Sequence, residues 1–216
     1  MIDWEARFRE PGYAYGTEPN GFLVSVAGRI PSGPVLSLAD GEGRNSVFLA
    51  ERGHDVVAVD RSSLGLSKGV RLAETRGVRI QTVVANLEEY VIEPGAWSGI
   101  VAIFTHVPPP IRARMHRGVI AGLKTGGVYV LEAYTPRQLA FATGGPREKE
   151  LLMELPQLQV ELEGLEFLIA RETERDIIEG RYHKGRAAVV QILARKAAAD
   201  HQPLGEISES ATGPLA

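Results

Sequence analysis

From Val35 onward, short apolar runs alternate with stretches in which apolar residues recur at helical spacing. The apolar runs predict strands at residues 35–39, 56–60, 80–85, 100–105 and 128–134. The stretches between them predict helices near residues 45–52, 64–76 and 112–123. Alternation of strands and helices is typical of a parallel sheet with right-handed crossovers.

The pattern changes after Tyr134. A helical stretch at residues 147–155 precedes two strand-like runs, at residues 166–178 and 186–194, with Gly180 and Gly185 between the runs. Two long runs joined by a glycine-containing turn predict an antiparallel hairpin. We therefore expect an α/β fold with a Rossmann-like, doubly wound sheet, mostly parallel, that ends in an antiparallel C-terminal hairpin.

The two ends of the chain differ from this central pattern. Residues 1–34 carry aromatic side chains among several Gly and Pro residues, and we interpret them as an N-terminal cap over the sheet edge. Residues 197–216 are small and polar, which predicts a disordered tail. Because 216 residues suffice for one substantial core, we expect a single domain over residues 1–196.

Composition narrows the possible functions. The net charge of −3 gives no reason to expect a nucleic-acid partner. The absence of cysteine excludes disulfides, thiolate metal sites and a cysteine nucleophile, and no other metal site is expected. The chain has no signal-like apolar start and no apolar window of membrane-spanning length, so we expect a cytoplasmic protein without a membrane partner.

The most informative local feature is the turn after the first strand. Residues 35–39 lead into a Gly-x-Gly turn formed by Gly41 and Gly43, and the predicted helix at residues 45–52 follows. α/β proteins bind nucleotides and nucleosides at such turns. The next strand ends in Asp60, at the spacing of an acid that binds ribose hydroxyls.

Two ligand classes compete for this turn. A dinucleotide fingerprint requires a third glycine at the place of Ser46, and Glu42 would be an awkward neighbour for a pyrophosphate. S-adenosylmethionine fits better, because it lacks phosphate and carries an ammonium and a sulfonium group. Asp40 could accept a hydrogen bond from that ammonium, and Asn86 could contact the adenine edge.

The sequence also resembles a known family over nearly its whole length except the tail. Residues 38–50 and 53–62 resemble class I S-adenosylmethionine-dependent methyltransferases. Residues 4–8 and 13–23 resemble the N-terminal cap of the tellurite-resistance and thiopurine methyltransferase-like branch, and residues 126–132 its fifth-strand motif. The resemblance implies a seven-stranded sheet whose last strand is antiparallel.

The resemblance also implies site residues. Asn86 and Leu87 take the adenine position, and the residues from Phe104 to His106 would flank the transferred methyl group. At the places of Ser37 and Ala39 the family usually has an acid and a glycine. The complete set of implied cofactor-binding residues is Tyr15, Ala39, Asp40, Gly41, Gly43, Asn45, Asp60, Arg61, Asn86, Leu87 and Phe104.

Histidines and arginines supply the remaining candidates. His106 could act as a general base or orient the substrate, and it could equally be a hydrogen-bonded loop residue. His183 has no partner histidine at metal-ligand spacing. A basic cluster on the predicted helix after His106 is expected to be solvated, and it comprises Arg112, Arg114, His116 and Arg117.

The resemblance implies transfer of a methyl group from S-adenosylmethionine to a small nucleophile by in-line displacement. A thiol or a chalcogen oxyanion is the implied acceptor class. Amino groups are less expected, because no Asn or Asp precedes Pro108. One alternative is a noncatalytic S-adenosylmethionine-binding regulatory protein, and a less favoured one is an NAD-dependent oxidoreductase. The sequence does not indicate the oligomeric state.

Overall fold

The computed structural model describes residues 3–198, so most of the predicted tail lies outside the described residues. Within this range, seven strands form one sheet: β1 Pro34–Leu38, β2 Asp55–Asp60, β3 Gln81–Val84, β4 Trp97–Ile103, β5 Leu123–Tyr134, β6 Glu166–Glu179 and β7 His183–Arg195. The α-helices of the same range are α1 Trp4–Arg9, α2 Gly21–Val26, α3 Arg44–Glu51, α4 Ser63–Thr75, α5 Pro109–Gly122 and α6 Leu155–Glu161.

Neighbouring strands follow the order β3-β2-β1-β4-β5-β7-β6. The strands from β3 to β5 run parallel, whereas β7 is antiparallel to both β5 and β6. The predicted Rossmann-like sheet with its C-terminal hairpin is therefore confirmed. The chain leaves β1 towards β2 on one side and β4 lies on the other, which creates the crevice where such sheets bind ligands.

Apolar side chains cover both faces of the sheet. Successive strand residues point to opposite faces, so Val35 and Leu36 belong to different clusters. Leu36 shares its cluster with Met115 of α5 and Leu158 of α6, and Val35 shares the other with Leu49 of α3. Helices on both sides leave only the strand ends open for function.

The predicted helix at residues 147–155 is wrong. The chain forms a short 3-10 turn at Lys149–Leu151, and α6 begins only at Leu155. Pro156 lies in the first turn of α6, where a backbone N–H has no acceptor within the helix, so the proline removes no helical hydrogen bond. Proline likewise starts α5 at Pro109, earlier than the predicted start at Arg112.

The β6–β7 hairpin extends past the sheet. β7 begins at His183, earlier than the predicted run at residues 186–194, because it pairs with β6 as far as Glu179. The last pair between β5 and β7 is Tyr134 with Val189. Residues 183–188 therefore project beyond the carboxyl end of β5, over the edge where a ligand would lie.

The basic cluster on α5 is only partly solvated. Arg114 and Arg117 are exposed as expected, but the side chains of Arg112 and His116 are buried. Both contact Glu161 of α6, with Arg112 Nη2 donating to its carboxylate at 2.8 Å and His116 Nδ1 at 2.7 Å. A carboxylate on a neighbouring helix, not visible in the helical spacing, draws the two side chains inward. Burial alone would raise the pKa of Glu161, but the hydrogen bonds from His116 and Arg112 lower it to about 2.

Replacing Glu161 should therefore destabilise the protein. Glu161→Ala leaves the guanidinium of Arg112 buried without its carboxylate, which costs about 3–5 kcal/mol in the free energy of unfolding. Glu166→Ala is the matched control, because its partner Arg195 is 46% exposed and such surface pairs contribute below about 1 kcal/mol. Urea denaturation measures both values, and equal losses would contradict the buried pairing.

Candidate active site

The turn after β1 has an unusual backbone. Ala39, Gly41 and Gly43 have φ angles of 51°, 65° and 91°, a region that costs an alanine about 1–2 kcal/mol. Gly43 is the N-cap of α3 and lies against Gly69 of α4, where a Cβ atom would overlap the Gly69 backbone. Gly41 faces the ring of Phe8, which would be 3.2 Å from an added Cβ. Missing side chains thus let α4 and α1 approach the turn.

Asp40 supports the turn from behind. Its carboxylate accepts hydrogen bonds from the hydroxyls of Ser37 and Ser46, each at 2.6 Å. Burial raises the pKa of Asp40 above its ordinary value, and the two hydroxyls oppose that shift. Each of its oxygens accepts one of these bonds and keeps one further lone pair, so the expected contact with a ligand ammonium stays a prediction.

Asp60 lies at the end of β2, beside the turn. Its Oδ2 accepts from the Gly41 amide at 2.9 Å, and its Oδ1 accepts from the Ser62 amide at 2.8 Å. Burial raises the pKa of Asp60 to about 6. Each carboxylate oxygen keeps one further lone pair, so Asp60 can still accept two hydrogen bonds.

Glu42 is directed towards the N-terminal cap. Its carboxylate accepts from the Ala14 amide at 2.6 Å and from Lys68 Nζ at 2.8 Å. Lys68 also donates to the carbonyls of Glu10 and Gly12. The charge of Glu42 is compensated there, so this residue by itself does not disfavour a pyrophosphate.

A buried ion network joins the turn to the rest of the molecule; it consists of Asn20, Arg44, Glu132, Arg175 and Glu179. Asn20 Nδ2 donates to Glu132 at 2.8 Å and to Glu179 at 3.0 Å. Arg44 donates to Glu179 at 2.7 Å, and Arg175 donates to both carboxylates. The network ties the N-cap of α2, the start of α3 and strands β5 and β6 together.

Asn45 acts on the cap as well. Its Oδ1 accepts from the backbone amide of Asn20 at 3.0 Å, and its side chain is buried. The predicted cofactor residue thus positions the N-terminal segment next to the turn. Asn45 and Arg44 attach the first turn of α3 to two other parts of the molecule. Asn45 bonds to the N-terminal segment, and Arg44 bonds to Glu179 of the hairpin.

The loop after β4 is strained and firmly attached. Phe104 has a φ of 54°, its amide donates to the Glu132 carbonyl at 2.7 Å, and Thr105 Oγ1 donates to the Leu38 carbonyl at 3.1 Å. A phenylalanine in this backbone region persists only where its surroundings hold it, which occurs mostly at functional sites. The half-buried ring of Phe104 stacks on Tyr134 with centroids 4.6 Å apart.

His106 uses both ring nitrogens on backbone groups. Nδ1 donates to the Leu151 carbonyl at 2.8 Å, and Nε2 accepts from the Tyr134 amide at 3.3 Å. Burial lowers the pKa of His106 to about 4, so the ring is neutral near pH 7. In this arrangement neither nitrogen is available to a substrate proton, and the ring attaches the β4 loop to β5.

The remaining predicted residues lie beside β2 and β3. Arg61 is exposed after Asp60, and Asn86 is exposed after β3, where its Oδ1 accepts from the Glu88 amide at 3.2 Å. The side chain of Leu87 is buried in the core. The structure therefore brings Asp60, Arg61 and the loop from Asn86 to the same strand ends, since β2 and β3 are parallel neighbours.

An aromatic box lies where the β4 loop, the cap and the hairpin meet; its members are Tyr15, Phe104, Tyr134 and His183. The His183 ring centroid is 4.6 Å from that of Tyr15, 4.7 Å from Phe104 and 5.4 Å from Tyr134. Sequence reasoning placed His183 in a hairpin turn and missed its position here. Gly180 and Gly185 indicate a turn near His183. The register that extends β7 as far as His183 follows only from the pairing of β7 with β6.

Residues 35–127 match the sequence model of a methyltransferase domain. This span runs from β1 into β5 and includes both the glycine turn and Asp60. A search among curated proteins found no match.

Solved structures provide the comparison of folds. One solved structure comes from work on the conversion of a disulfide bond into a thioacetal group during echinomycin biosynthesis. It has a TM-score of 0.74 and 15% identity, over 90% of both chains. TehB from Haemophilus influenzae has a TM-score of 0.69 and 20% identity, over 82% of this chain and 62% of its own. An S-adenosylmethionine-dependent methyltransferase from Methanosarcina mazei has a TM-score of 0.61 and 19% identity, over 81% of this chain and 98% of its own.

The matched domain model, the strand order and the shared fold define the class of protein. Residues 35–127 form a methyltransferase domain, and the chain has the Rossmann-like fold of S-adenosylmethionine-dependent methyltransferases of known structure. This methyltransferase family and the solved structures of the same fold depend on S-adenosylmethionine.

No helix between residues 3 and 198 is long and apolar enough to cross a membrane. Over the same residues, no three His, Asp or Glu side chains are grouped as a metal ion would need.

The close packing at Gly43 can be tested by adding a methyl group. Gly43→Ala should reduce the free energy of unfolding by about 1–2 kcal/mol through its positive φ and by a further 1–3 kcal/mol or so through overlap with α4. Gly53→Ala is the control, because Gly53 has a φ of 86° and no atom within 4 Å of the added Cβ. Thermal and chemical denaturation measure the loss in free energy of unfolding for both variants. The two losses should differ by the cost of the overlap alone, and equal losses would contradict the contact between Gly43 and Gly69.

Proposed function

We propose that S-adenosylmethionine binds along the carboxyl ends of β1 and β2, with Asp60 accepting hydrogen bonds from both ribose hydroxyls. The observation that carries this proposal is the Asp60 carboxylate, which is held by the amides of Gly41 and Ser62 and keeps one lone pair on each oxygen. A ribose diol presents two donors at matching spacing. The two acceptor oxygens that Asp60 presents to the crevice therefore fit the nucleoside half of the cofactor.

The adenine lies, in this proposal, beside Arg61 and the loop that begins with Asn86 and Leu87. The methionine end follows the backbone of the glycine turn, where Ala39, Gly41 and Gly43 leave room close to the chain. Asp40 stabilises this turn through Ser37 and Ser46, and the lone pair left on each of its oxygens can accept from the ammonium. Asn45 contributes by holding the cap over the turn.

The methyl group is then transferred next to Phe104 and Tyr15. When bound, S-adenosylmethionine supplies an electrophilic sulfonium methyl, which is already attached to a good leaving group. The task of the protein is to align the acceptor at about 3–3.5 Å and to exclude water. The aromatic box and the overhanging hairpin are placed to do both.

We propose a small, soft nucleophile as acceptor, a thiol or a chalcogen oxyanion. Aromatic walls favour contacts with polarisable sulfur. The fold shared with TehB supports placing the chain in the tellurite-resistance and thiopurine methyltransferase-like branch. The protein studied in echinomycin biosynthesis, whose described reaction concerns a disulfide bond, is a second relative in fold linked to sulfur chemistry.

His106 has a supporting role in this proposal. Its bonds to Leu151 and Tyr134 hold the strained Phe104 loop in place. A base at this position would first have to break one of these two backbone bonds.

The ribose contact can be tested with one variant. Asp60→Ala should weaken binding of S-adenosylhomocysteine by about 1.5–3 kcal/mol, the range of a hydrogen bond to a charged group. Asp55→Ala, at the exposed start of the same strand, should leave the affinity unchanged. Isothermal titration calorimetry on folded samples measures both, and an unaltered affinity in Asp60→Ala would refute the ribose role.

The acceptor class requires a transfer assay. With methyl-labelled S-adenosylmethionine, we expect label in thiols, selenite or tellurite and little or none in primary amines presented at the same concentration. Preferential methylation of the amines would contradict the proposed class. If none of these compounds is methylated although the cofactor binds tightly, the proposal of a small, soft acceptor is wrong.

A further inference from the structure

The hairpin carries a second histidine to the proposed reaction site. His183 begins β7, in the part of the strand that projects beyond β5. Its ring centroid lies within 5 Å of those of Phe104 and Tyr15, at 4.7 Å and 4.6 Å. These two residues are the ones that the proposed function places beside the transferred methyl group, so His183 is a titratable ring at the acceptor position.

The ring nitrogens of His183 are available in a way that those of His106 are not. Nδ1 is buried and has no hydrogen-bond partner in the described structure, with the nearest carboxylate oxygen, Glu179 Oε2, at 4.0 Å. Nε2 makes no hydrogen bond within residues 3–198 and is not among the fully enclosed atoms. Burial lowers the pKa of His183, so the ring is neutral near pH 7 and can accept a proton.

Glu179 is fixed and charged beneath this ring. It is bound by Arg44 at 2.7 Å, by Arg175 at 3.1 Å and by Asn20 at 3.0 Å. Burial alone would raise the pKa of Glu179, but contacts with His183, Arg44 and Arg175 lower it to about 2. At 4.0 Å from Nδ1 the Glu179 carboxylate is beyond hydrogen-bond distance, and its negative charge stabilises the protonated form of the ring.

We propose that His183 is the general base of the methyl transfer and that the charge of Glu179 stabilises the imidazolium. The inference rests on the proposed function. In the step, the acceptor sulfur forms a bond to the methyl carbon while the bond from that carbon to the sulfonium breaks, and its electron pair stays on S-adenosylhomocysteine. The thiol proton passes to His183 Nε2 and later to solvent.

This assignment narrows the acceptor class to a neutral protic thiol. A base serves an acceptor that arrives with its proton, whereas an oxyanion arrives without one. The charges next to His183 favour the same class, because Arg44 and Arg175 are both engaged by the carboxylates of Glu132 and Glu179. The two guanidiniums and two carboxylates balance, and neither guanidinium is left over to hold an anion.

The pH dependence of His183 has to be interpreted with the groups that face it. Those on the elements packed around the ring are Glu179 and Arg175 of β6, Arg44 of α3, Tyr15 of the cap, Tyr134 of β5 and His106 of the β4 loop. Glu179 and Arg175 stay charged through the neutral range, because their contacts lower the pKa of Glu179 to about 2 and raise the pKa of Arg175. His106 stays neutral there, with its pKa lowered to about 4.

His183→Gln is the direct test. With an alkanethiol near pH 7, kcat/KM should fall by about 10²–10⁴-fold, the usual contribution of a positioned base. With an aromatic thiol whose electron-withdrawing substituents keep it ionised at the assay pH, the loss should be small. The affinity for S-adenosylhomocysteine should be unchanged by calorimetry, and His54→Gln, just before the amino end of β2, should behave as the wild type.

A measurement on the wild type alone covers the case in which the variant fails to fold. If His183 is the base, kcat/KM for the alkanethiol levels off between about pH 7 and 8.5. Without a base, only preformed thiolate reacts, and kcat/KM rises about tenfold per pH unit until the thiol pKa.

The outcomes separate the two proposals. Equal losses in His183→Gln with both thiols, or a tenfold rise per pH unit in the wild type, would overturn the base while leaving the proposed methyl transfer to thiols intact. A wild-type protein that binds S-adenosylhomocysteine and methylates no thiol would overturn the proposed acceptor and this inference with it.

Discussion

The relative positions of the glycine turn, the N-terminal segment and the hairpin depend on the buried ion network. Two carboxylates, Glu132 and Glu179, and two guanidiniums, Arg44 and Arg175, balance one another in a region of low dielectric constant. Removing one member would leave an uncompensated buried charge, which costs about 3–5 kcal/mol. Asn20 adds the N-terminal segment to the same set. The glycine turn, the cap and the hairpin therefore hold their relative positions through one group of hydrogen bonds.

What could be predicted from the sequence is local. The strand that ends in the glycine turn, and the next strand that ends in Asp60, follow from periodicity and spacing over a few tens of residues. The network does not, because Asn20 meets partners 112 and 159 residues away. The position of His183 beside Phe104 and Tyr15 was not predicted for a similar reason, because it depends on the register between β6 and β7. The wrong helix at residues 147–155 shows the limit of periodicity where Pro156 decides the start of α6.

The unusual first motif has a physical explanation. The family's acid on β1 is replaced by Ser37, and the acid of this chain lies on the turn as Asp40, yet the two side chains meet at 2.6 Å. The same carboxylate binds Ser46 at the start of α3, so three successive elements are attached to one group. This attachment holds Ala39 at its positive φ, where the family uses glycine. It also places a second acid near Asp60, which contributes to the raised pKa of that residue.

The contact of Phe8 with Gly41 and Gly65 has a consequence for the thermodynamics of the cofactor site. Helix α1 spans only Trp4–Arg9, and a helix this short does not persist in water without a surface to pack on. One wall of the site is therefore a segment whose order depends on the turn it covers. Ordering that segment and filling the crevice are linked equilibria, so any contact that favours one favours the other by the same free energy.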